Sequence, residues 1–327
     1  MERDFGVDWL KSFAIVLVVL GHAIQFSQVK SFDANILFHL IYSFHMPLFM
    51  FVSGYLIKGD KTIGFLWKQF RMLVVPFLVW MILYSFYFRR LDLQHGNWAI
   101  LPYYYLQVLR FPGKGLWFLW VLYLIDVAYY LLRKSRYFYL FSFLLVVFLY
   151  VLILLFPFFN YYGLGLFRIY YPYFLLGCLM RKYRFDRLIG GWTVMALLFL
   201  SVLFEMAWSR VGATYVFGLP IAHDTGSLYS ILIRIFTPVP ILFLLFCASR
   251  YFIKGNKIIV WLSTNTLAVY ASHFIWIYWL TAIFVPLFPV GSPMVICLVF
   301  AVTALLTWFS VSAINRVRWL RMLLFGR

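Results

Sequence analysis

Of the six histidines in the 327-residue chain, three fall inside apolar runs. His22 closes KSFAIVLVVLGH, His45 stands in FHMPLFMFVSGYL, and His273 stands in NTLAVYASHFIWIYW. An ionisable side chain surrounded by hydrocarbon is costly, and its default meaning is a function with a nearby partner. Counting 1.5 Å per residue from the expected helix ends places His22 about 20 Å, His45 about 18 Å and His273 about 14 Å from the same edge. Tyr270 lies one helical turn before His273. Imidazole titrates near neutrality, which makes it a natural general base for removing a proton from a hydroxyl. No G-x-S-x-G is present, and Ser53 and Ser272 sit in helix-like apolar contexts, so direct attack by a substrate hydroxyl fits better than a protein-bound acyl intermediate. The histidines are dispersed with no H-E-x-x-H spacing, and no metal is expected. Taken singly, each imidazole also suits a plain structural role, bonded to a neighbouring carbonyl or hydroxyl.

The elements that must hold these residues are membrane spans. Hydrophobic residues make up 65% of the chain, aromatics 23% and charged residues only 12%, far outside the range of soluble domains. Ten helices in one bundle are expected, at about 9–27, 36–57, 70–88, 116–132, 138–156, 168–181, 191–208, 229–249, 264–285 and 293–313. The sixth is short and contains Pro172, which predicts a kink or a partial crossing. Of the 28 Lys and Arg, 20 then flank one side and 8 the other, which places both termini in the cytoplasm. The net charge of +18 punctuates loops instead of forming a stripe, so no nucleic-acid partner is expected. The first apolar stretch lacks an obvious cleavage site and reads as a retained span. Cys178, Cys247 and Cys297 lie in separate apolar runs and read as packing residues. The long connections near 89–115 and 209–228 fall on the outer face, with an interfacial segment around Trp98 to Leu109.

Pro47 should kink the second helix and leave carbonyls needing a partner or a wet cavity, while Ser53 and Gly54 permit close helix approach. Glu205 lies near the outer end of its helix, where it either contacts an acceptor or reaches the interface. His39 reads as interfacial. His223 and Asp224 in an outer loop are candidates to assist acceptor binding. At the inner rim, Lys11, Lys68 and Arg71 suit an anionic donor such as a phosphate-bearing thioester, although positive-inside topology also accounts for such residues.

The segments DWLKSFAIVLVVLGH, FHMPLFMFVSGYL, FRMLVVPFLVW, LWFLWVLYL and NTLAVYASHF resemble, in order, the motifs of the membrane acyltransferase-3 family of bacterial surface-glycan O-acyltransferases. The resemblance covers most of the chain. It implies one transmembrane acyltransferase domain over 1–327, multi-pass in the bacterial cytoplasmic (inner) membrane. It also implies acetyl-CoA as cosubstrate with no bound cofactor, and a glycan or lipid-linked sugar as acceptor. The resemblance makes His22 the catalytic histidine and places Arg71 in the donor-side basic motif, while the shared depth of His45 and His273, with Tyr270, leads to the expectation that they assist His22. Lys11 stands where many relatives carry arginine, which gives up a bidentate phosphate fork. Intramembrane histidines beside a kinked helix also suit a proton-coupled transporter of a small solute or glycan unit, against which no two-half repeat is evident.

Overall fold

A computed structural model describes residues 3–29, 32–57, 62–183, 191–208, 214–216, 219–222, 228–250, 256–289 and 292–327. The fold is all-α. The helices are α1 (Phe5–Ser27), α2 (Ile36–Leu56), α3 (Ile63–Gln69), α4 (Val75–Phe88), α5 (Arg90–Gln94), α6 (Ile100–Arg110), α7 (Trp117–Leu132) and α8 (Phe138–Leu155). They continue as α9 (Leu164–Tyr183), α10 (Gly191–Ala207), α11 (Leu228–Phe236), α12 (Pro238–Ser249), α13 (Lys257–Phe284), α14 (Pro293–Asn315) and α15 (Arg318–Phe325). Seven helical stretches among the described residues are long and apolar enough to cross a membrane, and α7 and α10 are shorter apolar helices. Nine of the ten expected spans fall on these stretches, the eighth on α11 and α12 together, whereas α9, where the sixth was expected, is not among them; the segment from Trp98 to Leu109 overlaps α6. Outside the helices, β1 (Thr214–Val216) and β2 (Leu219–Ala222) pair antiparallel, with Tyr215 opposite Pro220.

Two expected starts are late by about two helical turns. The third span begins at α3 and passes through a π-helical stretch, Phe70–Val74, into α4. Its register change lies just before Pro76, whose ring nitrogen has no hydrogen to donate. The ninth begins at Lys257 instead of near 264, because its polar opening is satisfied locally: Thr264 Oγ1 and Asn265 Nδ2 donate to the carbonyls of Val260 and Trp261, at 2.7 and 2.8 Å. Side chains that bond one turn back do not end a helix.

The chain forms two compact units, one of Met1–Leu56 with Tyr173–Val311 and one of Ile57–Pro172 with Ser312–Arg327. In the first unit, α1 starts with Asp4, whose carboxylate accepts from the Val7 amide at 3.1 Å, and α13 starts with Asn256, which caps Ile259 at 2.8 Å. Such caps satisfy amides that the first turn leaves open. The two helices run parallel. Arg3 and Ser263 both bond the Asp8 carboxylate, and Ser12 Oγ donates to the Ile259 carbonyl at 2.8 Å. Arg250, at the end of α12, reaches Asp4 at 3.2 Å and Tyr55 Oη at 2.9 Å.

The crossing of α2 with the Tyr173–Tyr183 part of α9 depends on two glycines. A Cβ on Gly54 would lie 1.9 Å from the Phe174 carbonyl oxygen, and one on Gly177 would lie 2.0 Å from that of Phe51. Cys178 Sγ donates to the Gly54 carbonyl at 3.4 Å, in keeping with a packing role. Small residues at such a crossing allow the backbones to close on each other where no hydrophobic effect drives helices together.

In the second unit, α15 packs on α4, with Trp80 Nε1 donating to the Leu324 carbonyl at 2.8 Å. Gly326 ends α15 in the left-handed region at φ 70°, and a Cβ there would lie 2.4 Å from Met72 Cα. The buried Asp126 of α7 accepts from Gln69 Nε2 at 2.8 Å.

Gly54→Val and Gly177→Val each place side-chain atoms against backbone, which no rotamer relieves. Each is expected to destabilise the protein by about 3 kcal/mol, read as a lowered thermal unfolding midpoint of the detergent-solubilised chain, whereas Gly191→Ala, at an open position, should leave that midpoint unchanged.

Candidate active site

The parallel packing of α1 and α13 brings His22 and His273 to one level, with ring centroids 5.4 Å apart and planes tilted by 30°. From the observed helix starts, His22 lies about 26 Å along α1 and His273 about 24 Å along α13. The earlier depth for His273, about 14 Å, was short because it counted from residue 264. Phe274 flanks His22 with a centroid separation of 4.5 Å. Tyr270 is buried one turn before His273, 6.1 Å between ring centroids.

His22 is fixed through Nδ1. Gln25 Oε1 lies 3.0 Å from that nitrogen and Tyr42 Oη 3.1 Å from it, while Tyr42 Oη donates to Gln25 Oε1 at 2.8 Å. An amide oxygen only accepts. The contact with Gln25 therefore requires the proton on Nδ1, which leaves the lone pair on Nε2. His22 itself is only half-buried.

The other two imidazoles follow the same rule. His45 Nδ1 donates to the Ile41 carbonyl at 2.6 Å and His273 Nδ1 to the Val269 carbonyl at 3.0 Å, each one turn back in its own helix. A carbonyl likewise accepts only, so both rings hold their proton at Nδ1 and present Nε2 as acceptor. His273 is fully buried, and its Nε2 has no hydrogen-bond partner among the described residues. His45 joins the cluster through Tyr42, 4.9 Å between ring centroids.

Tyr42 and Gln25 were not predicted. Gln25 is three residues after His22 and Tyr42 three before His45, spacings that place each pair on one helix face. A further trace is Gly21. A Cβ there would meet Tyr42 Cε2 at 3.0 Å, so the glycine before the histidine leaves room for the ring that holds it.

Lys11 belongs to the same helix as His22. Eleven residues are close to three full turns, so both project from one face of α1, about 16 Å apart along the axis. Lys68 and Arg71 are exposed in the second unit, Lys68 in the last turn of α3 and Arg71 on the π-helical stretch. Glu205, near the end of α10, lies 3.8 Å from His39 Nε2, and the edge of Trp208 packs on the same imidazole at 4.7 Å. His39 is thus paired inside the helix packing as well as near the end of α2. His223 and Asp224 lie outside the described residues.

A family model described as an acyltransferase domain matches residues 4–311. Among curated proteins, the chain is similar to two described as nodulation protein NolL. That of Sinorhizobium fredii is 37% identical over 89 residues, covering 24% of this chain and 24% of the relative. That of Mesorhizobium japonicum is also 37% identical over 89 residues, covering 24% of this chain and 23% of the relative. The match therefore spans about a quarter of each curated relative. No solved structure matches.

Removing the Gln25 acceptor should release the His22 tautomer. A hydrogen bond worth about 1 to 1.5 kcal/mol holds one form over the other by roughly tenfold. Nitrogen-15 spectra of histidine-labelled Gln25→Leu protein are expected to show His22 with Nδ1 and Nε2 both partly protonated, against a single Nδ1–H form in the parent.

Proposed function

The chain belongs to the acyltransferase family; from that premise we propose that it is a membrane O-acyltransferase that transfers an acetyl group from acetyl-CoA to a sugar hydroxyl of a surface polysaccharide or its lipid-linked precursor, in the bacterial inner membrane, with His22 as general base. The observation that carries this reading is the Nδ1 of His22, committed to Gln25 and Tyr42 at 3.0 and 3.1 Å. A base fixed at one nitrogen offers the other in a set direction, which is the geometric requirement for proton transfer.

In the proposed step, Nε2 of His22 takes the proton of the acceptor hydroxyl as its oxygen attacks the thioester carbonyl. The tetrahedral intermediate then collapses, the carbon–sulfur bond breaks, and the imidazolium returns its proton to the departing thiolate. The products are a sugar ester and free CoA. The imidazolium forms beside another imidazole instead of a fixed cation, because the Nδ1–H of His273 is held by a carbonyl and its Nε2 remains an acceptor. His45, and Tyr270 behind His273, complete the proposed wall of the site.

Lys11 in the first unit, and Lys68 and Arg71 in the second, are each proposed to serve the donor's phosphates, a role suited to their charge. Glu205 is the proposed acceptor contact on α10, its carboxylate 3.8 Å from the His39 imidazole. A carboxylate shielded from water is a strong acceptor for sugar hydroxyls.

His22→Ala is expected to lower acetyl transfer by about 10²- to 10⁴-fold with unchanged membrane insertion. The assay uses liposomes containing the protein, loaded with labelled acetyl-CoA and given glycan acceptor outside. Full activity of the variant removes the base assignment, and solute flux without ester formation supports transport in its place. In the same assay, Arg71→Ala is expected to raise the KM for acetyl-CoA about tenfold, the loss of one charge-assisted contact, with kcat nearly unchanged.

A further inference from the structure

Apart from the histidine cluster, the first unit contains an apolar cleft among α1, α13 and α14. Its deeper part, about 220 Å³, is lined by Ile15, Val19, Trp261, Val269, Phe300 and Thr307 among others. It shares Ile258, Trp261, Ala304 and Trp308 with a shallower groove that ends at Lys257. Along α13, Lys257 to Val269 is about 18 Å. The cleft opens sideways, since Ile258 is 70% and Trp308 51% exposed.

Two polar features stand out in this apolar lining. Lys257 is exposed at the mouth, and no acidic residue lines either part. Thr307 is 2% exposed, and its Oγ1 has no hydrogen-bond partner among the described residues. Thr264, Thr266 and Thr281 on α13 bond back to a carbonyl one turn earlier, at 2.7, 3.0 and 2.9 Å, whereas on α14 neither Thr307 nor Thr303 does, and of those two only Thr307 lines the cleft. A buried hydroxyl left without that bond in a cleft wall calls for a ligand acceptor.

We infer that this cleft is a binding site for one anionic bilayer phospholipid, with an acyl chain along the groove, its phosphate on Lys257 and Thr307 donating to a polar atom of the lipid. The opening faces sideways, the direction from which a bilayer lipid enters. The apolar wall suits a hydrocarbon chain and not water, which needs several polar partners. A cation at the end of an apolar groove, with no acidic residue among the described lining, selects a negative headgroup. The site is distinct from the reacting groups: Lys257 lies about 24 Å along α13 from His273, so a headgroup there does not occupy the histidine cluster.

The test is native mass spectrometry of the full chain released from detergent, after incubation with phosphatidylglycerol or phosphatidylcholine of identical chains, or with inorganic phosphate alone. The parent protein is expected to retain one phosphatidylglycerol with at least a fivefold preference over phosphatidylcholine. Lys257→Gln should abolish that preference, and Ala304→Phe, which fills the groove, should abolish retention of either lipid. Equal retention of both lipids by the parent, an undiminished preference in Lys257→Gln, or retention driven by phosphate alone overturns the proposal. Because Lys257 is exposed, its substitution decides the question even where Ala304→Phe fails to fold.

Discussion

The attachment of α1 to α13 at one end of the first unit sets the geometry of everything further along. Asp8 is 8% exposed, and a carboxylate withdrawn from water costs several kcal/mol unless it is paired and hydrogen-bonded. Arg3 supplies the counter-charge and Ser263 a further donor, while Ser12 ties the neighbouring turn to Ile259. These contacts fix both the sliding and the rotation of one helix against the other. A shift of one residue rotates a helical side chain by about 100°, which would carry His22 out of reach of His273. The pairing of two imidazoles deep in the bundle thus depends on polar contacts about three to four turns away.

Once the helices are in register, the helix backbone itself fixes the protonation pattern. Ile41 and Val269 each offer a carbonyl to the imidazole four residues later. That local bond forces the proton to Nδ1 in His45 and His273 without any third helix. His22 differs. Its Nδ1 is held by side chains from two helices, Gln25 on α1 and Tyr42 on α2, so its orientation reports on their packing. The histidine assigned the base role is the one whose tautomer depends on tertiary structure.

Much of this was legible in the sequence, for identifiable reasons. Spans are visible because hydrocarbon demands long apolar runs, and His22, His45 and His273 stand out because ionisable groups there are rare. Gly54 was readable as a point of close approach, since a missing side chain in a span has few other uses. The start of α13, expected near 264, lies at Lys257, and Ser263, Thr264, Asn265 and Thr266 stand inside the helix, bonded to Asp8 and to the preceding turn. Tyr42 carried no mark among 24 tyrosines. Its role arises from a partner 20 residues away on another helix, a relation that periodicity within one helix does not contain.

The second helix shows how one element serves both packing and chemistry. Toward one end Gly54 lies against the backbone of α9, and Pro47 withholds the amide that would otherwise bond the Ser43 carbonyl four residues earlier. Toward the other end, His39, Tyr42, Ser43 and His45 crowd into two turns. Tyr42 reaches His22 on one side and packs against the cluster of Ala207, Trp208 and Ile233 on the other, the cluster whose Trp208 also touches His39. A displacement of α10 relative to α2 therefore has a direct mechanical path to the ring that holds the base: through Trp208 to Tyr42, and from Tyr42 to Nδ1 of His22. Tyr42 is therefore a side chain shared by the packing beside Glu205 and by the hydrogen bonds at Nδ1 of His22.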